Sequence, residues 1–81
     1  MKTLIYFSAS WCQPCKTLSP IMEQVGKNVP VIKIDVDAQK QYAMDFGIRN
    51  IPTVVLVENG KEVRRFTGAR SYEQIMQFIN G

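Results

Sequence analysis

The chain has 81 residues, enough for one compact domain and too few for two separate hydrophobic cores. Hydrophobic residues make up 46% and charged residues 21%, which are ordinary values for a folded globular protein, so we expect neither a disordered chain nor one that spans a membrane. The net charge is +3 with acidic residues interspersed among the basic ones, so we expect no nucleic-acid partner.

The amino-terminal part predicts a buried strand over residues 4–7 and a helix over residues 14–25. The apolar run at residues 4–7 is too short for the core of a secretory signal, so we expect no targeting segment. Pro14 suits the first turn of the helix, whereas Pro20 in its interior predicts a kink near Lys16. The residues of the apolar helix face recur at helical spacing: Leu18, Ile21, Met22 and Val25.

The middle of the chain predicts a second strand over residues 31–36 and a short helix over residues 37–46. The strand alternates, with Ile32, Ile34 and Val36 on one face and Lys33 and Asp35 on the other. Asp37 is a suitable cap for the short helix, and Gly47 for its end. A strand–helix–strand order predicts parallel pairing of the first two strands.

The last third predicts a hairpin and a final helix. Strand residues 53–57 lead into Asn59 and Gly60, a pair favoured in two-residue hairpin turns. The return strand, residues 62–67, alternates poorly, which indicates an edge strand or a bulge. Ser71 and Gln74 form a capping-box pair. The apolar face of the last helix contains Tyr72, Ile75, Met76 and Ile79. The fold class is therefore α/β, one domain over residues 1–81 with four strands and three helices.

Two cysteines and no histidine limit the chemistry available. Without an imidazole there is no Cys-His nucleophile, no Ser-His-Asp triad and no histidine-bearing zinc site. Cys12 and Cys15 lie where the first strand meets the first helix, so unpaired N–H groups and the helix dipole should stabilise Cys12 as a thiolate, assisted by Lys16. We expect Cys12 to attack a substrate disulfide and Cys15 to resolve the mixed disulfide.

Other interpretations of the two cysteines remain open from spacing alone. A structural disulfide across so short a loop would add little stability. A structural zinc site needs about four ligands, which would require cysteines from two chains or added carboxylates. Two inert buried cysteines are a third alternative.

Beyond this spacing, a longer motif resembles the active site of the thioredoxin family, which usually has glycine in place of Gln13. The motif is Trp11-Cys12-Gln13-Pro14-Cys15-Lys16. Pro20, residues 47–53 and the Gly68-Ala69 pair are also similar to that family. The resemblance covers nearly the whole chain and implies a thioredoxin fold in a minimal β-α-β-α-β-β-α form.

The resemblance implies further properties of the site. The Ile51-Pro52 bond should be cis, with the Ile51 backbone pairing an extended substrate segment. No metal or bound cofactor is implied, only a reversible Cys12-Cys15 disulfide with electrons from a flavin-dependent thioredoxin reductase. The residues implied to contact substrate are Trp11, Gln13, Pro14, Ile51, Pro52, Gly68 and Ala69.

The chain also departs from the family pattern. The family's usual first strand and helix have no counterpart here, so the strand over residues 31–36 is expected to be an exposed edge guarded by Pro30, Lys33 and Asp35. Tyr6 occupies the position of the family's buried aspartate, and Lys33 matches the lysine partner of that aspartate. We therefore count Tyr6, Lys16 and Lys33 as tuning residues and expect Cys15 to lose its proton to water or to the leaving group.

Basic residues flank the predicted site. Lys16, Arg49 and Arg70 lie on its three bordering segments, so we expect a preference for partners with acidic rims. Arg64 and Arg65 are interpreted as edge protection.

The sequence thus predicts a monomeric, cytoplasmic thiol–disulfide oxidoreductase that reduces protein disulfides. One alternative is a glutaredoxin-like enzyme recycled by glutathione. Another is a non-catalytic adaptor subunit with incidental thiols.

Overall fold

A four-stranded mixed sheet forms the centre of the computed structural model, which describes residues 1–81. The strands are β1 (Lys2–Ser8), β2 (Val31–Asp35), β3 (Thr53–Glu58) and β4 (Lys61–Thr67), in the spatial order β2-β1-β3-β4. β1 runs parallel to β2 and antiparallel to β3, which pairs antiparallel with β4. The predicted topology is confirmed.

Three helices cover the two faces of the sheet: α1 (Gln13–Val25), α2 (Lys40–Asp45) and α3 (Tyr72–Asn80). The middle of β1, residues 4–7, is apolar because it contributes to both hydrophobic cores, with Leu4 and Tyr6 facing α1 and α3 and with Ile5 and Phe7 facing α2. None of these helices is both long and apolar enough to cross a bilayer.

The α1 helix begins and ends close to the predicted residues. Its buried residues are Cys15, Leu18, Met22 and Val25, which form one face of the helix. Pro20 lies inside the helix on its exposed side. The helix therefore continues through the proline, and its buried face packs on the sheet beside α3.

The segment between β2 and α2 differs from the prediction. Asp37 does not cap α2, which begins at Lys40 after Gln39 and has no side-chain cap. Instead Asp35 Oδ1 accepts the backbone N–H groups of Asp37 (2.8 Å) and Ala38 (3.4 Å) and shapes a turn. The Asp37 carboxylate is used elsewhere, by Trp11. The predicted end is correct, since Gly47 has φ +64°.

The hairpin between β3 and β4 has the predicted turn and the predicted irregularity. Asn59 (φ 55°) and Gly60 (φ 81°) both adopt positive φ, as a type I′ turn requires. Leu56 pairs with Arg64 but Val57 pairs with Glu62, so Val63 is the extra residue of a bulge. The edge and bulge interpretations of β4 are both correct.

Arg64 and Arg65 on β4 connect this strand to helices and do not simply guard an edge. Arg64 Nε donates to the Phe78 carbonyl (2.9 Å) near the end of α3. Arg65 Nη2 donates to the Phe46 carbonyl (2.9 Å) at the end of α2 and also binds Glu62. Cations at helix carboxyl ends complement the exposed carbonyl groups there.

The α3 helix has the predicted capping box. The Gln74 N–H donates to Ser71 Oγ (3.1 Å), and the Ser71 N–H donates to Gln74 Oε1 (3.0 Å). Ile75 and Ile79 are buried, whereas Tyr72 is exposed at the edge of the predicted apolar face. The cap and the apolar face together fix α3 against α1 and the sheet.

Candidate active site

Cys12 and Cys15 form a disulfide at the amino-terminal end of α1. Cys12 is the N-cap residue and Cys15 lies in the first turn, with their Cα atoms 5.3 Å apart. The Cys15 N–H points at Cys12 Sγ over 3.2 Å. Each residue is only 3% exposed. The Cys12 sulfur therefore occupies the position that a side-chain oxygen takes in an ordinary helix cap.

Local sequence explains why the sulfur lies there. The Cys12 N–H donates to the Ala9 carbonyl (3.2 Å), which closes a turn between β1 and α1. Pro14 stands in the first turn, where its missing N–H has no cost. The first turn contains no acidic residue, so the positive end of the helix dipole acts on the Cys12 sulfur without a competing carboxylate.

Two loops at the same end of the sheet, one before β3 and one after β4, lie beside the disulfide. The Ile51-Pro52 peptide bond is cis, and Ile51 packs against the cluster formed by Ala9, Cys12 and Cys15. The Gly68 N–H donates to the Pro52 carbonyl (2.9 Å), which holds the Gly68-Ala69 loop next to the proline. The positive φ of Gly68 (+83°) favours glycine there.

Trp11 is a surface residue and does not belong to the core. It is 67% exposed, and its Nε1–H donates to Asp37 Oδ2 (2.7 Å). Gln13, Pro14 and Lys16 are also exposed. The first turn of α1 and the indole thus form an accessible rim around two nearly buried sulfurs.

Tyr6 lies directly beneath Cys15. Its hydroxyl group is 3.0 Å from the Cys15 carbonyl oxygen and 2.9 Å from Ser19 Oγ, and Lys33 Nζ is 3.4 Å from that same Ser19 oxygen. With Tyr6 donating to the carbonyl, Ser19 donates to Tyr6 and Lys33 donates to Ser19, so every group has a partner. The Lys33 amine also lies 5.8 Å from the centre of the Tyr6 ring. This network contains no carboxylate.

A polar cavity of about 380 Å³ opens next to Cys15, between α1 and β2. The side chains of Ala9 and Ser10, which follow β1, are small and leave this space open. Its lining residues are Ser8, Ala9, Ser10, Cys15, Lys16, Ser19, Lys33 and Asp35. The cavity connects the Cys15 side of the disulfide to solvent.

Sequence reasoning did not assign Asp35 or Asp37 to the site. Both come at or after the end of β2, and β1 ends at Ser8 just before the cysteines. Because carboxyl ends of parallel strands meet at the same edge of a sheet, the predicted parallel pairing was a signal that could have placed them there. Asp37 also adds a negative charge beside Trp11, so the rim with Lys16 is not purely basic.

The other two basic residues of the predicted rim are on separate loops. Arg49 is exposed. The Arg70 guanidinium carbon lies 4.4 Å from the centre of the Phe66 ring, in a cation–π contact.

The family model for thioredoxin matches residues 1–81. The chain belongs to the thioredoxin family. Over 80 residues it is 38% identical to the thioredoxin of Chlamydia muridarum, a match that covers 95% of this chain and 78% of that one. Over 84 residues it is 34% identical to the thioredoxin of Rickettsia bellii, covering 99% and 80%.

Solved structures agree with this membership in the thioredoxin family. A mutant thioredoxin from Halobacterium salinarum superposes with a TM-score of 0.93 at 33% identity, covering 98% of this chain and 72% of that chain. The thioredoxin of Fasciola hepatica superposes with a TM-score of 0.90 at 33% identity, covering 98% and 78%.

As a thioredoxin-family protein with this disulfide, the chain is a thiol–disulfide oxidoreductase. Its redox group is the Cys12-Cys15 pair itself, and thioredoxin-family chemistry needs no bound cofactor. Proteins of the family act on protein disulfides and exchange electrons with reductases. Both sulfurs are consumed by the disulfide, so in this state neither can ligate zinc.

Proposed function

We propose that this protein reduces disulfides of other proteins, with Cys12 as the attacking sulfur and Cys15 as the resolving sulfur. The observation that carries these roles is the position of Cys12 Sγ at the N-cap of α1, 3.2 Å from the Cys15 N–H. A thiolate at this position is stabilised by the backbone donor and by the helix dipole. Cys15 lies within the first turn, and no backbone N–H donates to its sulfur.

The reaction proceeds in two exchanges. The Cys12 thiolate attacks one substrate sulfur, the substrate S–S bond breaks, and the released substrate sulfur takes up a proton. The Cys15 thiol loses its proton and attacks Cys12 Sγ, and the bond between Cys12 and the substrate breaks. Two electrons have then moved from the dithiol to the substrate, and the Cys12-Cys15 disulfide remains.

The rim around the disulfide is proposed as the substrate-binding surface. An extended substrate segment would pair with the backbone at Ile51, next to Pro52, as an added strand. Trp11 and Gln13 would border the segment on one side and the Gly68-Ala69 loop on the other. Support comes from the packing of Ile51 on the cysteine cluster and from the exposure of Trp11.

A thioredoxin reductase is proposed as the electron donor, in keeping with the thioredoxins to which the chain is similar. Glutathione is the competing donor. We further propose that residues 1–81 act as a single domain and a monomer, and that the protein works in the cytoplasm, where thiols are kept reduced.

Reduction of insulin disulfides tests the roles of the two cysteines. Cys12→Ser should abolish turnover, and Cys15→Ser should accumulate a mixed disulfide with substrate, visible as a covalent adduct by mass spectrometry. Thr17→Ala, an exposed change on the same helix, is the control and should leave turnover unchanged. Full insulin reduction by Cys12→Ser would contradict Cys12 as the attacking sulfur, and an absence of turnover in the native protein would favour the adaptor alternative. Replacing thioredoxin reductase with glutathione and glutathione reductase in the same assay identifies the donor.

A further inference from the structure

The resolving step needs a proton acceptor, and the groups closest to Cys15 do not provide one. The Cys15 residue is 3% exposed, so its thiol has little contact with bulk water. Tyr6, beneath it, is committed to the Cys15 carbonyl and to Ser19, and a neutral phenol is a weak base. The base must therefore act across the polar cavity that Cys15 lines.

We propose that Asp35 accepts the Cys15 proton through water held in this cavity. The inference rests on the proposed role of Cys15 as the resolving sulfur. The volume of about 380 Å³ is large enough for roughly ten water molecules at the density of the liquid, and its walls supply polar partners for them. Asp35 and Cys15 stand on different walls of the same space.

The register between β1 and β2 places Asp35 on the sheet face that α1 covers. On β2 it pairs with Ser8 of β1, and it shares a sheet face with Lys33, which pairs with Tyr6. That is the face covered by α1, which carries Cys15. Asp35 Oδ1 is fixed by the N–H groups of the following turn, whereas Oδ2 makes no hydrogen bond within the protein. One oxygen holds the carboxylate in place and the other is available to water.

The remaining charged groups around the cavity are cations. Lys16 on α1 and Lys33 on β2 line it, and Asp35 is its only acid. On β1, Tyr6 is the titratable group nearest to Lys33. Lysine ammonium groups have no acceptor, and serine hydroxyls are far weaker bases than a carboxylate. Among the lining residues, Asp35 is therefore the one carboxylate that can serve as the base.

In the proposed step, the Cys15 proton passes by way of water to the Asp35 carboxylate. The resulting thiolate attacks Cys12 Sγ, and the bond between Cys12 and the substrate sulfur breaks. The departing substrate thiolate takes up a proton from solvent, and Asp35 returns its proton to solvent. Asp35 acts through water and touches neither sulfur.

Rapid mixing of the fully reduced protein with dithiobis-nitrobenzoate separates the two exchanges. Attack by Cys12 releases one coloured thiolate, and attack by Cys15 on the mixed disulfide releases a second. Asp35→Asn keeps the Oδ1 acceptor of the turn while removing the base. We expect the first phase to be unchanged and the second to slow by about tenfold to a hundredfold at neutral pH. The deficit should shrink as pH rises, because hydroxide then replaces the carboxylate.

Three further variants sharpen the test. Asp35→Glu keeps a carboxylate and should recover most of the second phase. Glu23→Gln removes an acid from the neighbouring cavity, which shares Ser19 and Lys33 with the first, and should alter neither phase. If Asp35→Asn does not fold, Asp35→Ser retains a hydroxyl acceptor for the turn and should slow the second phase to the same degree.

A second phase in Asp35→Asn that matches the native rate across the whole pH range would overturn the proposal. Equal slowing by Asp35→Asn and Glu23→Gln would also overturn it, since that result indicates a general charge effect. Absence of a second phase in the native protein would instead reject Cys15 as the resolving sulfur. The two failures are therefore distinguishable.

Discussion

Tyr6 is the residue on which the packing beneath the active site depends. It is 1% exposed, it belongs to the core between the sheet and α1, and its hydroxyl joins β1 to the first turns of α1 at Cys15 and Ser19. A buried hydroxyl without partners is costly, and here both of its partners lie on α1. The contact therefore fixes the height of the Cys15 turn above the sheet.

Tyr6→Phe is expected to lower the free energy of unfolding of the oxidised protein by about 1–2 kcal/mol. The ring keeps its packing, but the Cys15 carbonyl and Ser19 lose their partner. Urea denaturation followed by circular dichroism measures the change. Tyr72→Phe is the matched control, since the Tyr72 hydroxyl meets Asn28 on the exposed surface. Equal losses in the two variants would contradict a special role for the buried hydroxyl.

At the level of single residues, the sequence predicted the contacts that depend on the local spacing of residues along the chain. The two cysteines are three positions apart at a strand–helix junction, so their meeting at the helix start follows from the local chain. The contact of Trp11 with Asp37 joins residues 26 positions apart. Tertiary partners at such separation leave no local pattern, which is why Asp37 was assigned to a helix cap.

Arg65 of β4 makes one ion pair within its own strand and one contact with the end of α2. Arg65 donates to Glu62 over 2.6 Å and to the Phe46 carbonyl over 2.9 Å. The hydrogen bond from Arg65 lowers the pKa of the Glu62 carboxyl below its ordinary value of 4.5. The same hydrogen bond raises the pKa of the Arg65 guanidinium, far above any pH at which the protein would be studied.

The ion pair between Glu62 and Arg65 should make a small contribution to the free energy of unfolding that is lost in acid. A carboxyl with a lowered pKa in the folded state stabilises the fold above its unfolded pKa, and this contribution is lost as pH falls through the folded value. Glu62→Gln should cost about 0.5 kcal/mol at neutral pH, a small effect because the pair is about one-third exposed. The difference from native protein should begin to shrink as pH falls past 4.5 and should vanish once pH is below the lowered pKa of folded Glu62. Denaturation across pH checks this, with Glu58→Gln as a control that lacks an arginine partner. A deficit that persists in acid would contradict the ion-pair interpretation.

Among the elements, α3 and the hairpin were predictable and the start of α2 was not. The capping box and the Asn59-Gly60 turn are encoded within four consecutive residues each. The α2 helix lacks a side-chain cap, and its first residue is set by the Asp35 turn that precedes it. The start of α2 thus depends on where β2 ends, and helix propensities of the residues in α2 carry no information about that position.

At the scale of the whole molecule, β1 holds the fold together because it is the only strand that contributes two buried residues to each of the two large cores. Phe7 is fully buried on the α2 side, with its ring centre 6.0 Å from that of Tyr42 and 5.5 Å from that of Phe46. On the same sheet face Ile32 is 45% exposed, since the short α2 helix does not cover the start of β2. This face is packed near the active site and open at its other end.

Phe7→Ala should lower the free energy of unfolding by about 3–5 kcal/mol, because it leaves a cavity at the centre of the aromatic cluster. That loss is a large part of the roughly 5–15 kcal/mol typical of small domains. Thermal denaturation of the oxidised protein measures it. Ile32→Ala removes a half-exposed side chain from the neighbouring strand and should cost less than about 1 kcal/mol. Comparable losses would contradict the view that the α2 face is packed only around Phe7.

The exposed indole beside the disulfide has an optical consequence. Trp11 is the only tryptophan in the chain, and it precedes Cys12 directly. A disulfide quenches the emission of an adjacent indole far more strongly than two thiols do. We therefore expect the ultraviolet fluorescence of the protein to brighten when the sulfur pair is reduced, so that the emission of Trp11 reports the oxidation state of the disulfide.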